Sequence, residues 1–438
     1  MKQVYIKTLG CQMNEYDSSL ILNVLSKKFF FKEVSDFSNA DILILNTCSV
    51  RDKVDKKVIS ELGLWNKLRQ TRDIVICVGG CFAASDKDFF IKKLSFINVI
   101  FGPQSLHRVG DMICEYLNTR KLVLDIQSSN LNKFNYVYDL YNHVDFSSCV
   151  SIMEGCDRYC SYCIVPFSRG KEISRSFNSI ISEIYTLLID GVKEIILLGQ
   201  NIGSYVNVID NGISIDFAYL LDYISNIEGI GRVKFVSLHP LDFSDELLKV
   251  FNRSNVFSKH IHLPVQSGSD SILNLMKRGH SVLDYINIFN KIKNISGYLS
   301  VSTDIIVGFP GETDNDFDLT VDLVKKLKFD KSFVYIYSKR NKTIASNLKD
   351  NISFEKKKYR LQVLNDILFD NAFNITSSMV GSVQRVIVYK KLEDQFFLGK
   401  TDNNRSVVFS SFNNLVGDVL FVKIEKFVDF FLYGKIFF

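Results

Sequence analysis

The chain has 438 residues, of which 47% are hydrophobic and 23% charged, and its formal net charge is +5 at pH 7. This composition argues against a mainly disordered protein, and the length corresponds to about three domains at roughly 150 residues each. The mild net charge does not by itself identify a nucleic-acid partner, and nine cysteines are too few for a disulfide scaffold.

The sequence contains no targeting or membrane-spanning signal. Lysines interrupt the first residues, Met1–Lys7, and no run of about 18 apolar residues occurs anywhere. We therefore expect a cytoplasmic protein that makes no membrane contact, in which clustered cysteines bind metal rather than form disulfides.

The first 120 residues predict strands that alternate with helices, and hence a parallel, doubly wound α/β sheet. The strand candidates are Val4–Thr8, Ile42–Leu45 and Ile74–Val78, with helical patterns at Asp17–Lys28 and Lys53–Leu68. One cysteine follows each strand, namely Cys11, Cys48 and Cys81. Because sites in open α/β sheets lie beyond the carboxyl ends of the strands, these three cysteines can converge.

Six further strand candidates, separated by helical patterns, lie between about 148 and 338. They are Val150–Met153, Glu194–Leu198, Val233–Leu238, His260–Val265, Val301–Val307 and Phe333–Tyr337. Six β/α units of this kind predict an incomplete relative of the eight-fold parallel barrel. Its functional groups are expected at the carboxyl ends of the strands and in the loops that follow them.

After a basic helical segment at about 353–375, the pattern changes to short strands. Five of them predict a small β-barrel of the kind that often binds nucleic acid: Val383–Tyr389, Phe396–Gly399, Val407–Ser410, Val419–Ile424 and Phe430–Ile436. Between Lys339 and Arg360, eight residues are basic and two are acidic. Such a stretch is typical of either a phosphate-binding surface or a solvated helix face.

The strongest local motif is a three-cysteine loop after the first barrel strand. Cys156, Cys160 and Cys163 are close enough in sequence for three thiolates to surround one small centre. Thiolates bind zinc and iron–sulfur clusters, but a closed zinc site needs a fourth ligand, and no neighbouring cysteine or histidine supplies one. A four-iron cluster held by three cysteines would keep one iron open for a substrate or cofactor. A zinc site, or three unrelated buried cysteines, is the alternative.

This loop resembles that of the radical S-adenosylmethionine (SAM) enzymes, and further motifs resemble those of the radical SAM methylthiotransferases. The N-terminal motifs are Gly10–Ser18, Asn46–Cys48 and Gly79–Cys81. Those of the barrel are Ser151–Cys156, Pro166–Gly170, Leu198–Asn201, Ser237–Pro240, His262–Ser269 and Asp304–Thr313, and Gly399–Arg405 resembles a TRAM domain. The resemblance implies a flavodoxin-like N-terminal domain at 1–120, a partial (β/α)6 radical SAM core at 142–374 and a TRAM RNA-binding domain at 375–438.

The resemblance also implies two [4Fe-4S] clusters and SAM as cofactors. The SAM-cleaving cluster would be held by Cys156, Cys160 and Cys163, and an auxiliary cluster with one open iron by Cys11, Cys48 and Cys81. The residues expected to contact SAM are Tyr162, Gly199, Gln200 and Gly308.

Five other residues of metal-binding types have simpler interpretations. Core packing is favoured for Cys77, Cys114 and Cys149. His239 and His262 follow or end barrel strands near the expected site, and we assign them supporting rather than catalytic roles.

The first N-terminal motif differs among three branches of the family, which act on different substrates. Gln12–Asp17 resembles the branch that modifies isopentenyladenosine in tRNA, rather than the branches for threonylcarbamoyladenosine or for a ribosomal-protein aspartate. The implied transferase activity is methylthiolation of C2 of N6-isopentenyladenosine at position 37, by radical C–H activation, sulfur insertion and SAM-dependent methylation. The implied partners of the monomeric chain are the tRNA anticodon loop and an electron donor such as a flavodoxin or ferredoxin. The alternatives are the same chemistry on threonylcarbamoyladenosine, or a non-enzymatic iron–sulfur RNA-binding regulator.

Two segments depart from the family pattern. Lys339–Ala345 stands where this branch commonly has Ala-Arg-Pro-Gly-Thr-Pro-Ala, and Ser174–Ser176 lacks the usual proline. These differences affect the expected shape of two loops rather than the expected chemistry, and Lys342 adds a charge beside the expected RNA surface.

Overall fold

A six-stranded parallel sheet forms the N-terminal part of the chain in the computed structural model, which describes residues 2–49, 54–126, 134, 145–209, 212–295 and 299–438. Its strands are β1 (Lys2–Leu9), β2 (Phe31–Glu33), β3 (Ile42–Thr47), β4 (Val75–Gly80), β5 (Val99–Phe101) and β6 (Val123–Asp125). They lie in the order β2-β1-β3-β4-β5-β6, and all neighbours are parallel. The first five strands have the flavodoxin-like order, which confirms the predicted fold of this part.

Helices cover both faces of this sheet because its central strands are apolar on both sides. β3 and β4 are buried along their whole length, as parallel strands enclosed by helices are. Ile21, Leu25 and Met112 pack on one face, and Leu62 and Trp65 pack on the other. The helices are α1 (Gln12–Lys28), α2 (Val54–Arg69), α3 (Cys81–Ser85), α4 (Lys87–Lys93) and α5 (Val109–Thr119). The predicted start of the second helix, Lys53, lies outside the described residues.

An open parallel barrel forms the central part of the chain. Its strands are β7 (Ser147–Ser151), β10 (Glu194–Leu198), β13 (Arg232–Phe235), β14 (His260–His262), β15 (Ser300–Ser302), β16 (Asp304–Val307) and β17 (Phe333–Ile336). Two short antiparallel pairs that the sequence did not predict accompany them: β8 (Met153–Glu154) with β9 (Ile173–Ser174), and β11 (Val206–Ile209) with β12 (Ile213–Asp216). The β7-β10-β13 sheet is linked to β14-β15 and β16-β17 through single bridges at Val233 and Gln266.

The predicted fifth strand, Val301–Val307, is interrupted at Thr303 and forms β15 and β16. The Thr303 hydroxyl accepts a hydrogen bond from the Val265 N–H at 2.9 Å, and the Thr303 N–H donates to the Ser332 hydroxyl at 2.9 Å. Side chains therefore replace strand-to-strand hydrogen bonds at this point. β15 pairs with β14 and β16 with β17, so the six-unit order of the barrel is kept.

Most helices of the central part pack over a large apolar core around the barrel, and two short ones do not contribute to it. The helices are α6 (Val165–Ser168), α7 (Phe177–Ile189), α8 (Phe217–Ser225), α9 (Asp245–Arg253), α10 (Asp270–Leu275), α11 (Val282–Ile295), α12 (Asp314–Leu327) and α13 (Phe354–Ser377). α12 begins with a capping box, in which Thr313 and Asp316 exchange hydrogen bonds. None of the helices in the described ranges has the length and apolar character needed to span a bilayer.

A closed five-stranded barrel forms the C-terminal part, as predicted. Its strands are β18 (Val383–Lys391), β19 (Phe396–Thr401), β20 (Ser406–Ser410), β21 (Val419–Val428) and β22 (Phe431–Ile436). They close in the order β18-β19-β20-β22-β21 around a small apolar core. α13 extends to Ser377 and leads directly into this barrel.

The small barrel docks on the amino ends of the parallel strands, opposite to the three-cysteine loop. The buried Arg232 pairs with Glu194 at 2.6 Å and donates hydrogen bonds to the carbonyl oxygens of Lys400 and Thr401. Burial raises the pKa of Glu194, but the charges of Arg232 and Lys234 outweigh it and lower that pKa to about 2. A buried ion pair therefore anchors the small barrel.

Substitution of Arg232 tests this anchor. We expect Arg232→Met to lower the free energy of unfolding by about 3–5 kcal/mol, because the buried Glu194 carboxylate loses its main partner. Urea denaturation measures the change. Lys291→Met, which removes a solvent-exposed pair with Asp245, is the control and should have little effect. Equal effects of the two substitutions would contradict the interpretation.

Candidate functional site

Three cysteines lie at the carboxyl ends of three neighbouring strands of the N-terminal sheet. Cys11 follows β1 and precedes α1, Cys48 follows β3, and Cys81 follows β4 and begins α3. Because β1, β3 and β4 are adjacent, the loops after them meet at one edge of the sheet. The structure therefore brings together the three cysteines that the sequence predicted to converge.

The sulfur atoms of these cysteines affect one another. A hydrogen bond from Cys48 lowers the pKa of the exposed Cys11 thiol to about 6; partial burial opposes this shift, and the charge of Arg169 adds to it. Burial raises the pKa of Cys81, whereas the charge of Arg169 opposes that shift. The site thus holds one thiol that ionises easily beside a buried one that does not.

Two buried asparagines connect the loops that carry Cys11 and Cys48. The Asn14 side-chain oxygen accepts hydrogen bonds from the Cys11 backbone N–H at 3.2 Å and from its sulfur at 3.4 Å. Its amide nitrogen donates to Asn46, and the Asn46 amide donates back to the Asn14 carbonyl at 2.8 Å. Gly80 completes this packing: its φ is +93°, and a Cβ there would collide with Asn46.

The second cysteine group occupies the loop after β8, at the carboxyl end of the parallel barrel. The Cys163 N–H donates to the Cys160 carbonyl at 2.9 Å, and the Cys156 N–H donates to the Gly170 carbonyl at 3.3 Å. Gly155 begins the loop with a φ of +81°, where a Cβ would collide with the backbone of Lys171. These contacts curl the loop, and the charges of its three cysteines act on one another.

Burial governs the ionisation of the second cysteine group. It raises the pKa of Cys156 to about 11 and that of Cys163 to about 12. The buried Arg278 donates a hydrogen bond to the Cys160 sulfur at 3.4 Å and another to the Pro264 carbonyl at 2.8 Å. A cation therefore lies beside one thiol of this group, as Arg169 lies beside Cys81.

The geometry of the cysteines does not match a closed zinc site. In the part of the chain that the structure describes, no three cysteine, histidine or carboxylate groups lie close enough to hold a single metal ion. A four-iron cluster is larger and brings its own sulfides, so it accepts thiolates that are farther apart than those around one ion.

One buried arginine joins the two cysteine groups. Arg169 donates hydrogen bonds from Nε to the Cys81 sulfur at 3.1 Å, from Nη1 to Glu154 at 2.6 Å and from Nη2 to Asp17 at 2.6 Å. Glu154 lies two residues before Cys156, and it also accepts a hydrogen bond from Gln104 at 2.9 Å. The chain of contacts Cys81–Arg169–Glu154 thus reaches from one group to the loop of the other.

Two of the residues predicted to contact SAM adjoin the start of the cysteine loop. The Gln200 side-chain oxygen accepts a hydrogen bond from the Gly155 N–H at 2.6 Å. Gly199 lies so close to Met153 and Ile202 that a Cβ at this position would collide with both side chains. These contacts give a structural reason for the residue type at both positions. The contacts of Gly199 and Gln200 with SAM stay predictions.

The other two residues predicted to contact SAM, Tyr162 and Gly308, lie farther along the same end of the barrel. Half-buried Tyr162 packs with Met276 and Ala345, beside the cysteines that flank it. Gly308, with a φ of +68°, donates its N–H to Glu312 at 2.6 Å, and its Cα faces the stem of Lys357. Tyr162 is therefore within the loop region, whereas Gly308 is packed against α13; SAM contacts of both stay predictions.

The basic segment 339–360 is less positive in the structure than its sequence indicates. Lys356 pairs with Asp314 and Lys357 with Asp350, while the buried Arg360 pairs with Glu312 at 2.5 Å. Much of the local charge therefore stabilises the fold. The exposed Lys339 and Lys342 remain at the surface, in the loop whose Ala345 N–H donates to the Ser161 carbonyl at 2.7 Å.

Sequence reasoning assigned no role to the two arginines that contact cysteine sulfurs. Arg169 belongs to the Pro166–Gly170 motif, but its partners are distant in sequence, and Arg278 lies outside the family motifs. Both are almost completely buried, which is rare for arginine and requires charged or hydrogen-bonding partners. Each has one cysteine sulfur among its partners.

The fold and the cysteine loop define a class of proteins, and family models identify it. The model "Radical SAM superfamily" matches residues 150–324. "Uncharacterized protein family UPF0004" matches residues 3–102, and "TRAM domain" matches 377–437. These matches place the chain in the class of radical SAM proteins that have a UPF0004 domain before the radical SAM domain and a TRAM domain after it.

Relatives along the full length narrow this class. The chain is 43% identical to "tRNA-2-methylthio-N(6)-dimethylallyladenosine synthase" of Francisella tularensis subsp. novicida (strain U112), covering 99% of both chains. The protein of the same name from Francisella tularensis subsp. holarctica (strain LVS) is also 43% identical over 99% of both chains. The chain belongs to the tRNA-2-methylthio-N(6)-dimethylallyladenosine synthase family.

Solved structures with low sequence identity have the same fold. The radical S-adenosylmethionine methyltransferase TsrM from Kitasatospora setae has a TM-score of 0.59 at 12% identity, with 79% of this chain and 74% of that chain covered. The cobalamin-dependent radical enzyme OxsB has a TM-score of 0.55 at 13% identity, covering 84% of this chain and 56% of that chain. These likenesses support the arrangement of an N-terminal sheet and a partial barrel.

The low pKa of Cys11 gives a prediction for protein prepared without iron or sulfide. We expect iodoacetamide to modify Cys11 at neutral pH well before Cys156 and Cys163, with a half-maximal rate near pH 6. Cys48→Ala removes the hydrogen bond to the Cys11 sulfur and should move this midpoint to higher pH. Mass spectrometry of the modified peptides measures the rates. A midpoint that Cys48→Ala leaves unchanged would refute the assigned hydrogen bond.

Proposed function

We propose that the chain converts N6-isopentenyladenosine of tRNA, beside the anticodon, into its C2 methylthio derivative, with SAM as cofactor. The observation that carries this proposal is the pair of three-cysteine groups that Arg169 joins, each at the carboxyl end of a parallel sheet. The relatives support the substrate, because they are named for 2-methylthio-N(6)-dimethylallyladenosine in tRNA. Removing hydrogen from an aromatic carbon requires a radical, since side-chain bases are too weak.

The barrel loop has the donors for the SAM-cleaving cluster. Cys156, Cys160 and Cys163 would hold a [4Fe-4S] cluster, which would supply the electron that cleaves SAM and thereby the radical that removes hydrogen from C2. Because burial keeps the Cys156 and Cys163 thiols protonated, cluster loading displaces these protons and leaves thiolates shielded from water. Arg278 then faces a thiolate at Cys160 and stabilises its charge. We assign Tyr162, Gly199, Gln200 and Gly308 to the surroundings of SAM.

The N-terminal cysteines have the donors for the auxiliary cluster. A second [4Fe-4S] cluster held by Cys11, Cys48 and Cys81 would supply the sulfur added at C2, and a second SAM the methyl group. Arg169 donates to the Cys81 sulfur and pairs with the carboxylates of Asp17 and Glu154 on its other side. Through Glu154, Arg169 connects the auxiliary site to the barrel loop, and the substrate adenine would bind between the two sites.

The macromolecular substrate is tRNA. An adenosine beside the anticodon is unpaired, so it reaches a recessed site at a low unstacking cost. A reduced flavodoxin or ferredoxin as electron donor, a monomeric chain and a cytoplasmic location complete the proposal. Domain boundaries at 1–120, 142–374 and 375–438 are supported by the matched family ranges, each of which falls inside one of them.

Cysteine substitutions separate the two clusters. After anaerobic reconstitution with iron and sulfide, the wild type should hold about eight irons. Cys160→Ala should lose SAM cleavage, whereas Cys48→Ala should keep SAM cleavage and lose methylthiolated product. Cys77→Ala, at a completely buried core position, is the matched control and should keep both activities. Product formation by Cys48→Ala would refute the two-cluster assignment.

The substrate is tested by mass spectrometry of tRNA nucleosides. A strain that lacks this protein should accumulate N6-isopentenyladenosine without its methylthio group, and the wild-type gene should restore the modified nucleoside. A methylthio group lost from threonylcarbamoyladenosine instead would overturn the proposed substrate. If the nucleosides are unchanged and the reduced protein does not cleave SAM, the remaining alternative is an iron–sulfur RNA-binding regulator without enzymatic activity.

A further inference from the structure

The last strand of the parallel barrel presents two aromatic rings on one face. In β17, Val334 and Ile336 pack against the apolar core under the outer helices. Because side chains alternate along a strand, Phe333 and Tyr335 point to the opposite, inner face. Their side chains are 55% and 48% exposed, and their rings lie 26° from parallel with centroids 6.4 Å apart. Two large rings are thus partly exposed on the inner face of the barrel.

These rings are continuous with the region of the cysteine loop. Phe333 lies directly across from Asp304 in the neighbouring strand, and parallel pairing places both on the same face. Asp304 in turn contacts His262 Nε2 at 3.3 Å, and its charge acts on Tyr162 in the cysteine loop. A base that rests on the two rings is therefore near the site assigned to the target adenine.

Cationic groups surround the start of β17. Lys331, two residues before Phe333, lies at the junction with the small barrel, where its Nζ donates to the Asn404 carbonyl at 3.4 Å. Lys400 and the buried Arg405 approach from the small barrel, and Arg405 pairs with Asp330. Within the described ranges, Arg405 Nε and Nη1 are buried without a hydrogen-bond partner. Among the described residues, Asp330 Oδ2 is buried without a partner as well, so two arginine nitrogens and one carboxylate oxygen are unused at this junction.

The positive charges at this junction repel one another. Burial, followed by the charges of Arg405 and Lys400, lowers the pKa of Lys331 to about 8. Burial and the neighbouring Arg232 and Arg405 also lower the pKa of Lys400. An anion bound here would relieve the repulsion, and the phosphate of a nucleotide stacked on the rings would lie within reach.

We infer that Phe333 and Tyr335 form a stacking surface for an unpaired nucleotide that flanks the modified adenosine, and that Lys331 and Lys400 bind its phosphate. Aromatic side chains stack on bases without regard to sequence, and cations beside them hold the RNA backbone. The adjacent cations favour RNA over an apolar protein partner for this face. The inference rests on the proposed function, because it assigns the site next to the reacting adenosine of the same substrate.

A fluorescent RNA tests the stacking. The probe is an anticodon stem-loop with N6-isopentenyladenosine at the modified position and, in separate molecules, 2-aminopurine on its 5′ or 3′ side. Wild-type protein with both clusters should quench one of the two probes, because stacking quenches 2-aminopurine. Phe333→Leu and Tyr335→Leu should bind that probe about tenfold more weakly, with the quenching reduced. Tyr335→Phe, which keeps the ring, should bind like the wild type.

Matched controls distinguish stacking from a general loss of structure. Tyr185→Leu removes a tyrosine that is 47% exposed on the outer helix α7, and it should bind the probe like the wild type. Melting temperature and iron content of each variant establish that it is folded and loaded. Wild-type affinity and quenching in folded Phe333→Leu and Tyr335→Leu would overturn the inference.

The phosphate contact has its own measurement. Lys331→Gln should make the slope of log affinity against log salt less steep by about 0.7, the value for one phosphate on a single strand. Lys326→Gln, on the exposed side of α12, is the control and should leave the slope unchanged. An unchanged slope for Lys331→Gln would remove this lysine from the site.

Failure of the proposed function gives a different result. If wild-type protein binds and quenches the probe but forms no methylthiolated product, the proposed function is wrong while the stacking surface stands. If the wild type forms product and the leucine variants bind as it does, the stacking surface is wrong while the proposed function stands.

Discussion

Arg169 lies between two buried carboxylates, Asp17 from helix α1 of the N-terminal part and Glu154 from β8 of the central part. Its third contact is the sulfur of Cys81. Removing one member of a buried charged network typically costs about 3–5 kcal/mol, because the remaining charges have neither water nor a partner. The two domains cannot separate without exposing or breaking this network. The relative position of the two cysteine groups therefore depends on it.

Helix α1 strengthens the same constraint. The helix starts at Cys11, and its next turns pack Met13, Tyr16 and Leu20 against the parallel barrel beside Leu198. The Tyr16 hydroxyl donates to Glu183, which also pairs with the buried Arg175. One helix thus carries a cysteine at its start and the domain contact along its side. Any rotation of the N-terminal sheet on the barrel would move Cys11 relative to the second group.

The two ends of the parallel barrel carry different structures. The cysteine loop occupies the carboxyl ends of the strands, where parallel barrels have their functional groups. The small barrel occupies the amino ends, where Arg232, Glu194 and Tyr389 hold it. We place the path of an RNA that contacts both ends along the inner face of the open barrel. In the proposed function, the exposed rings of β17 lie on that path.

The sequence alone was sufficient to predict most of the strands and the two cysteine groups. Apolar runs identify β3 and β4 because parallel strands are buried on both faces, and cysteines that follow such strands must share an edge. The break between β15 and β16 was not predictable, because Thr303 bonds to Val265 and Ser332, which only the fold brings near. The net charge of segment 339–360 follows from the sequence. Its ion pairs with Glu312 and Asp314 do not, because these carboxylates come near it only in the fold.

The same distinction holds for the site. Sequence spacing groups Cys156, Cys160 and Cys163, and the position after three predicted parallel strands groups Cys11, Cys48 and Cys81. Only the tertiary structure decided how the groups are joined, because the partners of Arg169 are 15, 88 and 152 residues away. A sequence pattern records periodicity and local spacing. A buried charge instead requires partners in space, and the packing of the two domains supplies them.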